Sequence, residues 1–348
     1  MLTFLCPFLS DDLQRLSVLK NVEYLDIANN SFSGIFGSDL LSNWHKIEVL
    51  DLSDNHIKGP LPDNLFEMSS LDILDLHGNG FNGTLPQRVK PESEMSFLAL
   101  HENDLKGSIS IVTQNLTQLK HLDLSGNWFD GPMDSLEKMS NLQYLSLAFN
   151  PKFQEGPIPS ISKLSNLVDL SLKQTTRTGS LPDGFGSMSG LVLLDLSFNQ
   201  LVGTIPEDLG AATALQYLFL NRNKLTGSIP ESFSGLTKLQ TLLLDRNELK
   251  GPSNPICENK PEPLGSFIAD CDEINCPTSC CTECCLDSSP DAIDLCEDLV
   301  WDMAMDPVAE YKSKRSIYVS NNDNIIYPTS KPQTVDTSTE ADPDDDGP

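Results

Sequence analysis

The chain has 348 residues, with 23 Lys and Arg against 50 Asp and Glu, which gives a formal net charge of -27. Nucleic-acid binding needs clustered Lys and Arg to neutralise phosphates, so this balance argues against a nucleic-acid partner. Much of the excess acid lies after Leu286, where the chain ends in ADPDDDGP. The sequence holds no stretch of about 18 apolar residues, so we expect no membrane span in this chain.

The first 20 residues predict a partial or truncated N-terminal cap. The start MLTFLCPFLS is apolar, but it has no basic region and no small-residue cleavage site, so it is not a clear signal peptide. A partial repeat begins almost at once at Leu13, Leu16 and Leu19, and Cys6 has no Cys nearby with which to pair.

A period of 23 to 25 residues fills residues 21 to 256. The frame LxxLxLxxN recurs, for example as LDILDLHGN (71 to 79) and LVLLDLSFN (191 to 199), and a segment such as GTLP (83 to 86) or GTIP (203 to 206) usually follows it. A fixed period of this length predicts a repeat architecture. We number the repeats 1 to 10 by the last position of the frame: Asn30, Asn55, Asn79, Asn103, Asn127, Asn150, Thr175, Asn199, Asn223 and Asn247.

The spelling of the frame has a physical reason. The Leu positions point inward, where stacked neighbours bury them and no repeat could do so alone. A short parallel strand is expected at LxL. The Asn turns inward, because its amide can both donate to and accept from backbone groups that would otherwise be unpaired at the turn. The scaffold is therefore expected to be an α/β repeat in which the ten coils stack.

The combined frame LxxLxLxxNxLxGxIP, which covers about residues 13 to 252, resembles the plant-type leucine-rich repeat. The resemblance implies a right-handed solenoid of about ten repeats with a parallel sheet on its concave face. The family includes receptor ectodomains, receptor-like proteins and inhibitors of cell-wall polysaccharide hydrolases. What it implies for function is non-catalytic recognition of a protein, peptide or glycan ligand, extracellular or at the cell surface. Two alternatives stay open: a structural or adhesive cell-wall component, and a glycan-active enzyme.

Repeats 6 and 7 depart from the frame. Repeat 7 has Thr175 where Asn is expected and Arg177 where an inward Leu or Phe is expected, and repeat 6 carries an insertion around residues 151 to 155. We therefore predict a local defect and the least regular coils between residues 150 and 178.

Ligand-binding residues should lie on the outward strand positions, because side chains alternate between the two faces of a strand. The position between the two central Leu residues is acidic in the early repeats and becomes Phe219 and Leu243 in the last two. The position before the frame's last residue becomes aromatic and basic. Large exposed aromatics beside Arg are common interface anchors. The predicted ligand-binding residues are Phe149, Phe198, Phe219, Arg222 and Arg246.

No catalytic motif or cofactor-binding fingerprint appears, so no catalytic residue and no cofactor are predicted. The recurring Asp, as in LDLS, and the pair His77 and His101 have the chemistry of metal or acid-base groups. We interpret them instead as structural or solvated residues, and no metal site is predicted.

Cysteines cluster after the repeats and predict a Cys-rich C-terminal cap over 257 to 296, which resembles the cap extension of algal extracellular relatives. Disulfides are expected because a small segment in a secreted protein is commonly held by them, while a zinc site through the CxxC at 281 to 284 is the alternative. Residues 297 to 348 are predicted to be a disordered acidic tail. The predicted disulfide cysteines are Cys257, Cys271, Cys276, Cys280, Cys281, Cys284, Cys285 and Cys296. The predicted glycosylation sites are Asn29, Asn82 and Asn115.

Overall fold

A computed structural model of the protein describes residues 2 to 3, 12 to 133, 135 to 257, 264 to 270, 274 to 275 and 280 to 285, with no side-chain detail at 2 to 3 and 283 to 285. The chain divides into two compact units, Met1–Asp302 and Met303–Pro348. All described residues belong to the first unit. The predicted acidic tail, residues 297 to 348, lies outside the described residues.

A parallel sheet of thirteen strands, here called the long sheet, runs through the described coils. Each repeat contributes three residues around the first central Leu of its frame, and successive strands pair in register, as Leu74 does with Leu98. The strands are Leu2–Thr3, Tyr24–Asp26, Val49–Asp51, Ile73–Asp75, Phe97–Ala99, His121–Asp123, Tyr144–Ser146, Asp169–Ser171, Leu193–Asp195, Tyr217–Phe219, Thr241–Leu243, Ser266–Asp270 and Glu283–Cys285. The structure confirms the predicted solenoid with a parallel sheet.

Shorter strands form a second layer after the turn in each coil. Six strands make one parallel sheet: Ser33–Ile35, His56–Pro60, Gly80–Thr84, Asp104–Gly107, Trp128–Gly131 and Lys152–Phe153. Five make another: Gly156–Pro157, Arg177–Ser180, Gln200–Thr204, Lys224–Gly227 and Glu248–Leu249. The remaining described pair is Gly251–Pro252 with Ile274–Asn275.

Short helical turns close the coils on the return to the long sheet. The α-helices are Ser38–Asn43, Ser110–Asn115 and Asn254–Cys257. The 3₁₀ turns are Leu13–Val18, Leu65–Glu67, Leu136–Lys138, Phe185–Ser187, Glu207–Ala211 and Glu231–Gly235. None of the described helices is long and apolar enough to cross a membrane.

The core lies between these layers and consists of the repeated apolar positions. Leu98 and Leu122, for example, are fully buried against their counterparts in neighbouring coils. Burying one such side chain contributes about 1.5 to 3 kcal/mol, and only stacking provides that burial. The coils therefore stabilise one another in sequence.

The inward Asn residues form the expected ladder of hydrogen bonds. The side-chain amide of Asn103 donates to the Leu76 carbonyl of the preceding coil at 3.1 Å and to the Leu100 carbonyl of its own coil at 3.1 Å. Its Oδ1 accepts the Phe81 N–H of the preceding coil at 2.9 Å. From coil 2 onward, each ladder Asn thus joins its own coil to the preceding one through buried main-chain groups.

The structure shows the predicted local defect between residues 150 and 178. The Thr175 hydroxyl donates to the Leu172 carbonyl of its own coil at 2.7 Å. Within the described residues, no side-chain bond joins Thr175 to coil 6. The second layer breaks inside the insertion of coil 6, where Lys152–Phe153 ends the six-stranded sheet and Gly156–Pro157 begins the five-stranded one.

Arg177 closes the gap that this break leaves. Its side chain is only 2% exposed. Nε donates to the Thr175 carbonyl at 2.9 Å, and the terminal nitrogens donate to the carbonyls of Gln154 and Pro157. Burial lowers the pKa of this guanidinium. A Leu or Phe at 177, as the frame prescribes, would leave those carbonyls without these donors, so the departure from the frame matches the departure from regular pairing.

The Cys-rich segment continues the stack. Its strands Ser266–Asp270 and Glu283–Cys285 extend the long sheet beyond residue 256, the predicted end of the repeats. Cys257 and Cys280 form a disulfide with their Cα atoms 5.6 Å apart. Cys281 is disulfide-bonded as well, so neither it nor Cys280 is a thiolate ligand for zinc. The side chains of the other predicted disulfide cysteines, Cys271, Cys276, Cys284, Cys285 and Cys296, lie outside the described residues.

Candidate ligand-binding face

Three columns of side chains cover the outward face of the long sheet where its strands end. The Asp column comprises the residues between the two central Leu positions. The middle column comprises the residues after the second of these Leu positions. The edge column comprises the residues just before the ladder position. Neighbouring members of a column are about 4.8 Å apart, which is the usual strand spacing, so each column is continuous from coil to coil.

The edge column has a left-handed backbone in all ten repeats, with φ between 51° and 62°. Its members are Asn29, Asp54, Gly78, Glu102, Gly126, Phe149, Gln174, Phe198, Arg222 and Arg246. The conformation lets the chain leave the strand so that the next residue can point inward. For a residue other than Gly it costs on the order of 1 kcal/mol or more, and Gly occupies it only in coils 3 and 5. Phe149 and Phe198 therefore stand on a turn that does not favour them.

These two Phe residues alternate with cations in what we call the aromatic-cation ladder: Phe149, Lys173, Phe198 and Arg222. The Lys173 ammonium lies 5.0 Å from the centroid of the Phe149 ring and 5.1 Å from that of Phe198. The Arg222 guanidinium carbon lies 4.9 Å from the Phe198 centroid. Each contact contributes about 0.5 to 1 kcal/mol at an exposed site. The contacts hold four large side chains in one arrangement that spans coils 6 to 9.

The structure brings together three of the five predicted ligand-binding residues. Phe149 is 44% exposed, and Phe198 and Arg222 are half-buried beside it. Arg246 follows Arg222 in the edge column and is half-buried. Phe219 belongs to the Asp column and is only 4% exposed, so it offers a ligand little area. A role of Phe219 in binding stays a prediction, and Phe219 is not part of the aromatic-cation ladder.

Lys173 is not among the residues predicted from the sequence. It belongs to the middle column, whereas the prediction used only the Asp and edge columns. A signal was present in the sequence, because Lys173 is the one Lys or Arg that the middle column has in the ten repeats and it falls between the repeats that carry Phe149 and Phe198.

A buried carboxyl group lies beside the basic end of the ladder. Asp245 of the middle column is fully buried, and neither of its oxygens has a hydrogen-bond partner within the part of the chain that the structure describes. Burial and the neighbouring Asp270 raise the pKa of Asp245 to about 6, although Arg222 and Arg246 oppose the shift. Asp270 itself accepts the backbone N–H groups of Arg246 at 2.9 Å and Asn247 at 3.1 Å.

The acidic half of the face is internally bonded. Asp51 accepts both the backbone N–H and the hydroxyl of Ser53, at 3.0 and 2.6 Å, and Asp123 and Asp195 do the same with Ser125 and Ser197. The sequence LDLS therefore forms a local turn in which the Asp carboxylate accepts hydrogen bonds from the Ser. Burial and the next carboxylate, Asp75, raise the pKa of Asp51 to about 7. These geometries agree with a structural interpretation of the Asp column.

The pair His77 and His101 stacks in the middle column with ring centroids 4.2 Å apart. His77 Nδ1 lies 2.6 Å from Asp75 Oδ1, and Nε2 lies 3.5 Å from Asp54 Oδ2. Burial lowers the pKa of His77, but these two carboxylates outweigh it and raise the pKa to about 11. Among the described residues, no group of three His, Cys, Asp or Glu side chains could hold a metal ion. His77 is therefore a cation fixed by two acids.

A second ring stack comes at the start of the strands. His121 lies between Phe97 and Tyr144, with ring centroids 4.2 Å from each. Burial lowers the pKa of His121 to about 4, so the ring is neutral at pH 7. The Tyr144 hydroxyl donates to Asp123 at 3.0 Å. The three stacked rings join the strands of coils 4 to 6 next to the ladder.

The predicted glycosylation sites Asn29, Asn82 and Asn115 are all exposed. Asn29 belongs to the edge column, Asn82 to the second layer and Asn115 to a helical turn. Their exposure is compatible with modification, which stays a prediction.

Comparison of the sequence with protein families finds the leucine-rich repeat along much of the described region. One model of this repeat matches residues 20 to 81 and 208 to 249, and a second matches residues 118 to 139 and 190 to 212. No curated protein sequence matches the chain significantly.

Solved structures of plant receptors are similar to the chain. The Arabidopsis receptor kinase HAESA, solved in complex with the peptide hormone IDA and the co-receptor SERK1, is 32% identical over 70% of this chain and 43% of that one, with a TM-score of 0.62. PEPR1, solved as PEPR1-AtPEP1, is 26% identical over 77% and 41%, with a TM-score of 0.64. The plant peptide hormone receptor RGFR1, in complex with RGF2, is 27% identical over 75% and 45%, with a TM-score of 0.62. The chain therefore spans less than half the length of these three structures.

Proposed function

We infer that this chain, a plant-type leucine-rich-repeat protein, is an extracellular binding module that takes a peptide or protein ligand on the outward face of the long sheet. The observation that carries the proposal is the aromatic-cation ladder. It combines an aromatic ring that is 44% exposed with fixed cations on a continuous sheet. Aromatic and Arg side chains held in one conformation lose little entropy on binding and bury much area, as interface anchors do.

Two further observations support the proposal. HAESA was solved with a peptide hormone, and RGFR1 is a peptide hormone receptor solved with RGF2, so recognition on this scaffold has precedent. The Cys257–Cys280 disulfide is typical of an oxidising, extracellular compartment. The hydrogen bonds of the Asp column leave its carboxylates committed to the local turn, which favours binding over a glycan-active enzyme.

The test uses the full chain with its disulfides intact and a displayed library of random peptides as the source of ligand. Peptides that are enriched on the wild-type protein are synthesised, and their Kd values are measured by fluorescence anisotropy. The double substitution of Phe149→Ala and Phe198→Ala should weaken binding by at least about tenfold, because each ring is an anchor worth about 1 kcal/mol or more.

The matched control is Trp128→Ala. Trp128 is 49% exposed but lies on the second layer, so its substitution removes a comparable ring from a different face. The Kd of this variant should equal that of the wild type. Enrichment of no peptide, or equal binding by the double variant and the wild type, would overturn the proposal.

A further inference from the structure

We propose that the aromatic-cation ladder selects an anionic group of the ligand, such as the carboxylate of an acidic side chain, and that Asp245 competes internally for Arg222, the basic end of the ladder. The inference rests on the proposed function and adds the chemistry of the ligand. It is carried by the positions of the cations, by the withdrawal of acids around them and by the unusual environment of Asp245.

Lys173 is a cation whose charge is not matched by an acid. Its side chain is half-buried between two rings, and the structure shows no ion pair or hydrogen bond from its ammonium within the described residues. A ring face attracts an ammonium through its quadrupole and does not use up the N–H donors as a carboxylate would. What sets Lys173 apart from the other described lysines is that its ammonium is held between two rings, which leaves its N–H donors available to an anion.

The Asp column has fewer acidic residues in the coils that carry the aromatic-cation ladder than in the early coils. The Asp column carries Asp in coils 1, 2, 3, 5 and 8 but Phe219 and Leu243 in coils 9 and 10. In coil 8, Asp195 is committed to the backbone N–H and hydroxyl of Ser197 at 3.0 and 2.6 Å. Asp169 of coil 7 is buried at the start of its strand, outside the three columns. The Asp column has no carboxylate in coils 6, 7 and 9, so a carboxylate from a ligand would meet less repulsion there than in the early coils.

Asp245 is an acid placed to oppose it. The charged groups that act on Asp245 are Arg222 from coil 9, Arg246 from its own coil and Asp270 from the following strand. A buried carboxylate without hydrogen bonds is costly, so it is held ionised mainly by the two guanidinium groups. When Asp245 takes up a proton, it no longer offsets the charge of those groups, and the basic end of the ladder gains one net positive charge.

The experiment uses the peptides enriched on the wild-type chain, each beside a version in which Asp and Glu are replaced by Asn and Gln. The acidic versions should bind about tenfold more tightly, since a hydrogen bond to a charged group is stronger than one between neutral groups. K173Q should remove most of that difference. D245N should tighten binding of the acidic versions at pH 7 and leave the neutral versions unchanged.

The pH dependence separates Asp245 from a general charge effect. Wild-type affinity for the acidic peptides should rise between pH 7 and pH 5, where peptide carboxylates stay ionised, and D245N should abolish the rise. The matched controls are K106Q and D130N, which remove the same charges from exposed sites in the second layer.

The outcomes also separate this inference from the proposed function. Suppose that the enriched peptides lose binding in the double Phe variant but show no preference for acid and no response to K173Q. The binding face would then stand and the anion selectivity would be wrong. A response to K173Q without one to D245N would overturn the role of Asp245 alone.

Discussion

Replacing Asn199 with Ala should cost far more stability than its size suggests, because Asn199 is the first ladder residue after the break. Its amide donates to the carbonyls of Leu172, Leu196 and Ser197 at 2.8 to 3.1 Å. Its Oδ1 accepts the backbone N–H groups of Thr175 at 3.1 Å and Arg177 at 2.9 Å. Within the described coils, no other ladder amide bonds to coil 7.

The magnitude follows from the groups that would be left unpaired. Thr175 and Arg177 are buried, so their two N–H groups could not turn to water. An unsatisfied buried donor costs about 1 to 3 kcal/mol, so Asn199→Ala should lower the free energy of unfolding by about 2 to 6 kcal/mol. The carbonyls add less, because the Leu172 carbonyl keeps the hydroxyl of Thr175.

Thr175→Ala is the matched comparison in the same ladder. It removes one hydroxyl bond within coil 7, and the Leu172 carbonyl keeps its bond from Asn199. It should therefore cost only about 1 kcal/mol. Urea denaturation followed by circular dichroism measures both free energies. Equal costs for the two variants would refute the reasoning that bonds between coils, rather than bonds within a coil, stabilise this stack.

Three further predictions concern charge and backbone conformation. The pKa of Asp245 is raised from 3.8 to about 6 in the folded state, so its ionisation destabilises the fold as pH rises through that range. Asp245→Asn should therefore raise the free energy of unfolding by at most about 3 kcal/mol at pH 8 and by little at pH 3.5, which urea unfolding at both pH values measures. His77 has a pKa of about 11, so its ring should remain protonated at pH 9 in an NMR titration, and a midpoint near 6.5 would contradict this prediction. Because the pKa is raised on folding, the stability that the charged ring contributes is present below pH 6.5 and is lost as pH rises toward 11. Gly126 has φ of 60°, so Gly126→Ala should destabilise the fold by about 1 kcal/mol in urea unfolding, and no loss would show that the turn relaxes.

Much of the fold could be predicted from the sequence because the repeat constrains itself. A Leu in the frame has the same neighbours in every coil, so one physical argument applies ten times. The break at Thr175 and Arg177 was equally predictable, since each replaces a residue whose partner is known. How the break is bridged was not predictable, because the carbonyls of Gln154 and Pro157 that Arg177 binds are placed by an insertion with no repeat to compare.

The ligand-binding face was predictable only in part. Phe149 and Phe198 stand out in the edge column, but the sequence does not say that a residue of another column reaches between them, as Lys173 does. Phe219 is the same type of residue as Phe149 and Phe198, but it lies in the Asp column, where neighbouring coils bury it. Exposure depends on which neighbours are large, and that is decided by packing between coils rather than by the frame.

The break between coils 6 and 7 has a consequence for how the protein unfolds. The stability of a repeat protein is approximately the sum of its coils and of the interfaces between neighbours, and between coils 6 and 7 the hydrogen bonds of Arg177 take the place of a ladder bond. Without Arg177, coils 1 to 6 and coils 7 to 10 should unfold as two blocks. Phe149 belongs to one block, and Lys173, Phe198 and Arg222 to the other, so a ligand that grips all four would fasten the two blocks into one cooperative unit.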